Sequence, residues 1–404
     1  MKSFNLDKFI AEKVVHRPIS LLAADLEKFD KELHKRIDGK SVLIIGGAGT
    51  IGSSYIKAIL KFNVKRLFVV DINENGLTEL VRDLRSSTGF NIPKEFITYP
   101  VNFGDLVFEK ILINEGPFEI VANFAAHKHV RSEKDEYSIE AMIDNNVFRA
   151  KKLLDLLMLH KPEHFFCVST DKAANPVNIM GASKKLMEEV IMAYSDTIPI
   201  ATARFANVAF SNGSLPLGFL ERFNKKQPWS SPSDVKRFFV SPQESGQICL
   251  LASILGESGD IFFPKLDMVN DMKPFTLIVE ALLNEFGLGL DLCKTEEEAR
   301  NKALQLNENS TTYPVYYFTS ETSGEKAYEE FYTEYETLDL NTFINLGVVK
   351  NNKIRNKQEI EAIFKNLHHL FSKKTNKSEL IETLKKYLPN FEHIETGKNL
   401  DQKM

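Results

Sequence analysis

The chain has 404 residues, 51 Lys and Arg against 55 Asp and Glu, and a net charge of −4, with 43% hydrophobic and 26% charged residues. That balance leaves no electrostatic footprint for nucleic acid, and the length predicts two or three domains of ordinary globular composition. Apolar runs such as Val42 to Ile45 and Ile120 to Ala126 fall far short of the roughly 20 residues of a membrane span. Cys167, Cys249 and Cys293 are too scattered for a disulfide framework or a zinc cluster, and the first residues lack the apolar stretch of a secretion signal. A cytoplasmic protein without metal or membrane span is expected.

Residues 1–40 read as a helical arm, broken at Pro18, whose apolar positions Phe9, Ile10, Val14, Val15, Leu21, Leu22, Leu26, Phe29 and Leu33 need a partner. Either the body of the same chain or a second copy would serve. Ser41 to Ile45 is a short β-type run followed at once by Gly46-Gly47-Ala48-Gly49-Thr50-Ile51-Gly52 and an amphipathic helix. Strand, glycine loop and helix in this order bring backbone amides close to a pyrophosphate, which places Gly46, Gly49, Thr50, Ile51 and Gly52 at a dinucleotide. The second strand, Arg66 to Val70, ends in Asp71, 19 residues beyond Gly52. An acid there suits ribose hydroxyls and repels a 2′-phosphate, favouring NAD over NADP; capping of the next helix is its other reading.

A third strand near Glu95 to Val101 leads to Asn102, a candidate adenine contact. The fourth, Ile120 to Ala126, ends in the small residues Ala125 and Ala126, which would let a dinucleotide approach, and runs into His127-Lys128-His129. Without further Cys or His nearby, these histidines are expected at the cleft and not on a metal. A long helix is predicted from Ile139 to His160. The fifth strand, His164 to Val168, delivers Thr170, Asp171 and Lys172 at its end, followed by a helix beginning near Ala182 that offers Lys184. A hydroxyl, a carboxylate and an amine in succession at the carboxyl end of a strand are placed for proton chemistry. After a sixth strand, Ile198 to Phe205, the alternation predicts an α/β fold: a Rossmann-type doubly wound parallel sheet over 41–207. Residues 208–350 are read as a smaller mixed α/β substrate lobe with some segments returning to that domain, containing a loop at Pro228 to Asp234 and strands near Ile261 to Phe263 and Val315 to Phe318; 351–404 form a helical tail. Arg237 is placed to meet an anionic substrate group or to form a structural ion pair.

With GGAGTIG at 46–52, NFAAHKHV at 123–130, STDKAANPVNIMGASKK at 169–185, RFANVAFSNGS at 204–214 and KRFFVS at 236–241, the chain resembles the nucleotide-sugar 4,6-dehydratases of the extended short-chain dehydrogenase/reductase superfamily, in the polysaccharide-biosynthesis branch acting on UDP-N-acetylglucosamine. Phe263 to Asp267 and Gly324-Glu325-Lys326 look like the legionaminic-acid subgroup. The resemblance implies that Thr170 holds the sugar 4-hydroxyl, Asp171 protonates the departing 6-hydroxyl, Lys172 is the base at C5 and Lys184 binds the nicotinamide ribose. It also implies cofactor contacts by Lys128, nucleotide-sugar contacts by His129, Asn207 and Ser214, a diphosphate contact by Arg237, and a homo-oligomer, dimer or higher. The superfamily's tyrosine, four residues before Lys184, is Met180 here, so another group must deprotonate the 4-hydroxyl, with Thr170 and Asp171 the nearest. NAD, regenerated each turnover, is expected to stay tightly bound, and Lys172 is expected to have a lowered pKa through burial beside it. The rival readings are a nucleotide-sugar 4-epimerase and a non-catalytic dinucleotide-binding protein.

Overall fold

The computed structural model describes residues 4–320, 324, 326, 328–350 and 355–395. Glu325 of the Gly324-Glu325-Lys326 stretch lies outside them. In chain order the strands are β1 (Ser41–Ile45), β2 (Arg66–Val70), β3 (Glu95–Tyr99), β4 (Ile120–Asn123), β5 (His164–Val168), β6 (Ile200–Ala203), β7 (Asn207–Val208), β8 (Trp229–Pro232), β9 (Lys236–Val240), β10 (Asp260–Pro264), β11 (Met272–Pro274), β12 (Gly289–Cys293), β13 (Thr312–Phe318), β14 (Thr337–Asp339) and β15 (Leu346–Lys350).

One sheet runs β3-β2-β1-β4-β5-β6-β10-β15-β14, parallel through β10 and antiparallel at its last two strands. Its central strands are buried on both faces, as the continuous Val, Leu and Ile run of β1 requires. Strand order reverses between β1 and β4, and in such a sheet the crevice outside the carboxyl ends at the reversal is where ligands bind. Helix Pro242–Leu255, β10 and β15 all belong to this body. Gly246 lets that helix lie directly on the backbone of Ser54 in helix Thr50–Ile59, where a Cβ would collide.

Two three-stranded sheets, β11-β9-β7 and β12-β13-β8, build the second lobe. Its core gathers Phe210, Phe219, Trp229, Phe239, Ile278, Leu282, Tyr313 and Val315. The segment Pro228 to Asp234, expected to be a loop, holds strand β8, because Trp229 is fully buried, donates to the Phe219 carbonyl at 2.8 Å, and the strand pairs in parallel with β13. Serine and proline around one tryptophan read as a turn; pairing with a strand more than 80 residues away overrides that preference.

The arm docks on its own chain. Phe9, Ile10, Val14 and Val15 enter the second core, while Leu33 and Ile37 of helix Ala23–Ile37 enter the main one. Between them Arg17 grips both Glu244 oxygens at 2.8 and 3.0 Å, Asp271 at 3.1 Å and the Phe239 carbonyl at 3.0 Å. The predicted long helix is Glu136–Ile143 continued by a π turn, Asp144–Phe148, and Arg149–Leu157. Tail helices Lys357–Phe371 and Lys377–Tyr387 add Ile360, Phe364, Leu367 and Leu384 to the main core. Among the described residues no helix is long and apolar enough to cross a membrane, and no His, Cys, Asp or Glu cluster is arranged to hold a metal ion.

Candidate active site

At the β1/β4 reversal lies a cleft of about 330 Å³ lined by Gly46, Gly49, Asp71, Asn102, Ala125 and Ala126, among others. Gly46 has φ +78°, and a Cβ there would stand 2.5 Å from the Ala125 amide nitrogen. A Cβ on Gly52 would strike the Gly46 carbonyl, so only glycine lets loop, helix and β4 meet this closely. Asp71 accepts from the Ala48 amide at 2.9 Å and the Asn73 amide at 2.9 Å, which fixes its carboxylate at the rim of the glycine loop. The helix itself is capped by Asn73, not by Asp71. Asn102 lines the same cleft and accepts from the Gly104 amide at 2.9 Å. Backbone closeness, a helix N-terminus and an acid on the rim suit a dinucleotide with free ribose hydroxyls.

Other expected contacts gather next to this cleft through one loop. Asn212 donates its amide to Thr50 Oγ1 at 2.9 Å, and its carbonyl accepts from Lys128 Nζ at 2.8 Å. Gly213, at φ +72°, packs against the His129 ring. Ser214 caps helix Leu215–Asn224, and Ile51 packs on the main core. Asn207 is half-buried on β7 beside Phe239 of β9.

Beyond β5 the chain makes a tight turn, Asp171–Ala173, and helix Ile179–Met192 begins three residues earlier than expected because Asn178 caps it. Asp171 Oδ1 accepts from Thr170 Oγ1 at 2.9 Å, from the Lys172 amide at 2.9 Å and from Lys172 Nζ at 3.1 Å. Lys172 also lies 3.5 Å from Glu329 Oε1. Burial alone would lower the Lys172 pKa, but Asp171 and Glu329 outweigh it and hold the ammonium above its usual range, opposite to the expected direction. Met180 is buried in the main core and offers no proton. Lys184 is buried, with a pKa lowered by desolvation, and donates to the Val168 carbonyl at 2.6 Å, tying its helix to the end of β5. Arg237 donates to the carbonyls of Lys236 at 2.9 Å and Lys326 at 3.0 Å, and its charge bears on the Lys172–Glu329 pair.

Three supporting groups escaped sequence reasoning. Asn146, in the π turn, accepts from the His127 amide at 2.8 Å and donates to the His127 carbonyl at 2.9 Å and Ser183 Oγ at 3.0 Å. A polar residue on the inward face of an apolar helix was the available signal. Arg204 is fully buried; it binds Glu188 at 2.9 and 2.7 Å and Glu336 at 2.9 Å twice, while Ser169 donates to Glu188 at 2.6 Å. Burial would raise the Glu188 pKa, but Arg204 outweighs it and lowers it. Glu329, far off in sequence, gave no signal at all.

Residues 42–351 match the family described as polysaccharide biosynthesis protein. An uncharacterized membrane protein of Methanocaldococcus jannaschii is 30% identical over 82% of this chain and 97% of its own length. Two longer bacterial polysaccharide-biosynthesis proteins are matched over 47% and 42% of theirs. The inverting UDP-N-acetylglucosamine 4,6-dehydratase of Campylobacter jejuni is 27% identical over 57% of this chain and 68% of that protein. A UDP-glucose 4-epimerase of Rickettsia typhi is 28% identical over 61% and 71%. In fold, the chain is similar to the dTDP-glucose 4,6-dehydratase DesIV of Streptomyces venezuelae, solved with NAD and TYD bound: TM-score 0.54, 16% identity, 72% of this chain and 88% of that one.

Proposed function

The chain belongs to the polysaccharide biosynthesis protein family, and from that premise we propose that it removes water from a nucleotide-activated N-acetylhexosamine, UDP-N-acetylglucosamine, to give the 4-keto-6-deoxy sugar. The observation that carries this reading is the chain of contacts Thr170–Asp171–Lys172 at the end of β5, the strand paired with β4, whose following residues Ala125 and Ala126 line a cleft suited to a dinucleotide.

NAD, when bound, supplies acceptance of hydride from C4 and its return at C6. Gly46, Gly49, Gly52 and Asp71 would hold it. Thr170 holds the 4-hydroxyl and passes its proton along the 2.9 Å hydrogen bond to Asp171. That step does the work for which Met180 has no proton. Asp171, now protonated, delivers the proton to the departing 6-hydroxyl, which leaves as water. Neutral Lys172 takes the C5 proton made acidic by the neighbouring ketone, then gives it back from the same face, so C5 keeps its configuration. Protons balance: what leaves O4 departs on the water, and what leaves C5 returns.

The 4-epimerase reading has support in the Rickettsia relative. It needs neither an acid at O6 nor a base at C5, and the Asp171–Lys172 pair favours dehydration. Incubation of the purified protein with UDP-N-acetylglucosamine in deuterated water, followed by mass spectrometry, distinguishes them. A 4-ketone lighter by one water is expected; a C4 epimer of unchanged mass as sole product overturns the proposal.

A further inference from the structure

We propose that Glu329 is the proton store for Lys172: a carboxylate brought from the far end of the chain takes the ammonium proton and leaves the lysine free to act as base. The inference rests on the dehydratase reading, which needs a neutral amine at C5.

The structure presents an obstacle to that reading and a group able to remove it. Lys172 faces Asp171 at 3.1 Å and Glu329 at 3.5 Å, with side-chain exposures of 16% for the lysine, 3% for Asp171 and 4% for Glu329. Charged groups bearing on this cluster are Arg237 and, at Glu329, Lys326. Two buried carboxylates keep the amine protonated at rest. When Asp171 gains the proton of the 4-hydroxyl, one of those two negative charges is gone, and the ammonium is supported by Glu329 alone. Burial, the largest influence, pushes the Glu329 carboxyl upward; the Asp171 charge adds to this, but its loss bears first on Lys172, which it contacts at 3.1 Å and for which it is the largest raising influence. In a water-poor site the neutral amine and carboxylic acid then compete with the ion pair, whose desolvation is costly. The Nζ–H bond breaks with its electron pair left on nitrogen, an Oε1–H bond forms, and the freed lone pair takes the C5 proton. Once C5 is reprotonated the store refills Lys172, so no proton is gained or lost.

The carboxylate is also held in place. Arg204 donates to the Phe331 carbonyl at 3.1 Å and grips Glu336, fixing the segment after Glu329 to the same guanidinium that binds Glu188 and, through it, Ser169. Phe331 stacks on Phe263 with planes 14° apart. A surface carboxylate that happened to meet a lysine would not be anchored through the core beneath the reacting loop.

The test measures water loss against pH for the wild type, Glu329→Gln and Glu329→Asp, with bound dinucleotide and C4 oxidation followed in each. Glu329→Gln is expected to slow water loss about 100-fold near neutral pH and to recover as rising pH lets solvent deprotonate Lys172. Glu329→Asp should restore most of the rate, and both variants should keep dinucleotide and C4 oxidation. Wild-type rate and pH profile in Glu329→Gln overturn the inference. So does loss of dinucleotide in both variants, which would make Glu329 structural support. A wild-type protein that oxidises C4 but forms no dehydrated product overturns the dehydratase reading itself, before any variant is compared.

Discussion

The glycine-lined cleft at the β1/β4 reversal and the Thr170–Lys172 cluster after β5 both lie at the carboxyl ends of strands of one sheet, yet they are built in different ways. Gly46 to Gly52, Asp71, Asn102 and Ala125–Ala126 each follow a strand of the repeating β-α-β pattern, with close backbone approach required at Gly46 and Gly52 and side chains placed by nearby amides at Asp71 and Asn102. The cluster joins Thr170–Lys172 to Glu329, with Arg204 and Glu336 fixing the two pieces together. A cleft made largely by backbone is most sensitive where a Cβ would collide and less so at a single side chain such as Asp71. A cluster made by buried charges fails when any one charge loses its partner.

That contrast orders the expected outcomes. Arg204→Met should be the most damaging to the fold, because buried Glu188 and partly buried Glu336 lose their hydrogen-bonded cation and keep only Lys185, at 3.7 and 3.9 Å, at a cost of about 3 kcal/mol. Glu188 has a lowered pKa, so the stability it contributes is present above the ordinary carboxylate range and lost as pH falls through its depressed value. Urea unfolding should therefore show the wild-type advantage narrowing in acid; an advantage constant down to low pH would contradict the pairing. Gly46→Ala comes next. A left-handed backbone costs an L-residue about 1–2 kcal/mol, the new Cβ meets Ala125, and titration calorimetry should show NAD affinity reduced by more than about tenfold. Unchanged affinity would mean that the cleft is not the dinucleotide site. The smallest effect belongs to Asp71→Ala, which should weaken NAD by about tenfold and NADP hardly at all, since the carboxylate that disfavours a 2′-phosphate is gone.

The same contrast explains what the sequence made legible. The glycine spacing, the acid after β2 and the Thr-Asp-Lys order at the end of β5 are local, and the folded chain places them where a local pattern puts them. Strand β8 was hidden because Ser230, Ser231 and Pro232 carry turn preference while their pairing partner lies on β13. The Lys172 pKa goes the other way from the expectation because two carboxylates outweigh burial: Asp171, the larger influence of the two, is its neighbour in sequence, whereas Glu329 enters from 157 residues away. Asn146 and Arg204 are polar residues at core positions, and only the fold supplies the backbone and carboxylates that satisfy them.

On the proposed reading, Lys172 performs the C5 proton transfer and does not help to build the dinucleotide site. Lys172→Ala, assayed with UDP-N-acetylglucosamine for 4-keto-6-deoxy product and, after denaturation, for bound dinucleotide, tests it most directly. Wild-type dinucleotide content with water loss abolished is expected; continued formation of the dehydrated product by the variant would rule out Lys172 as the base.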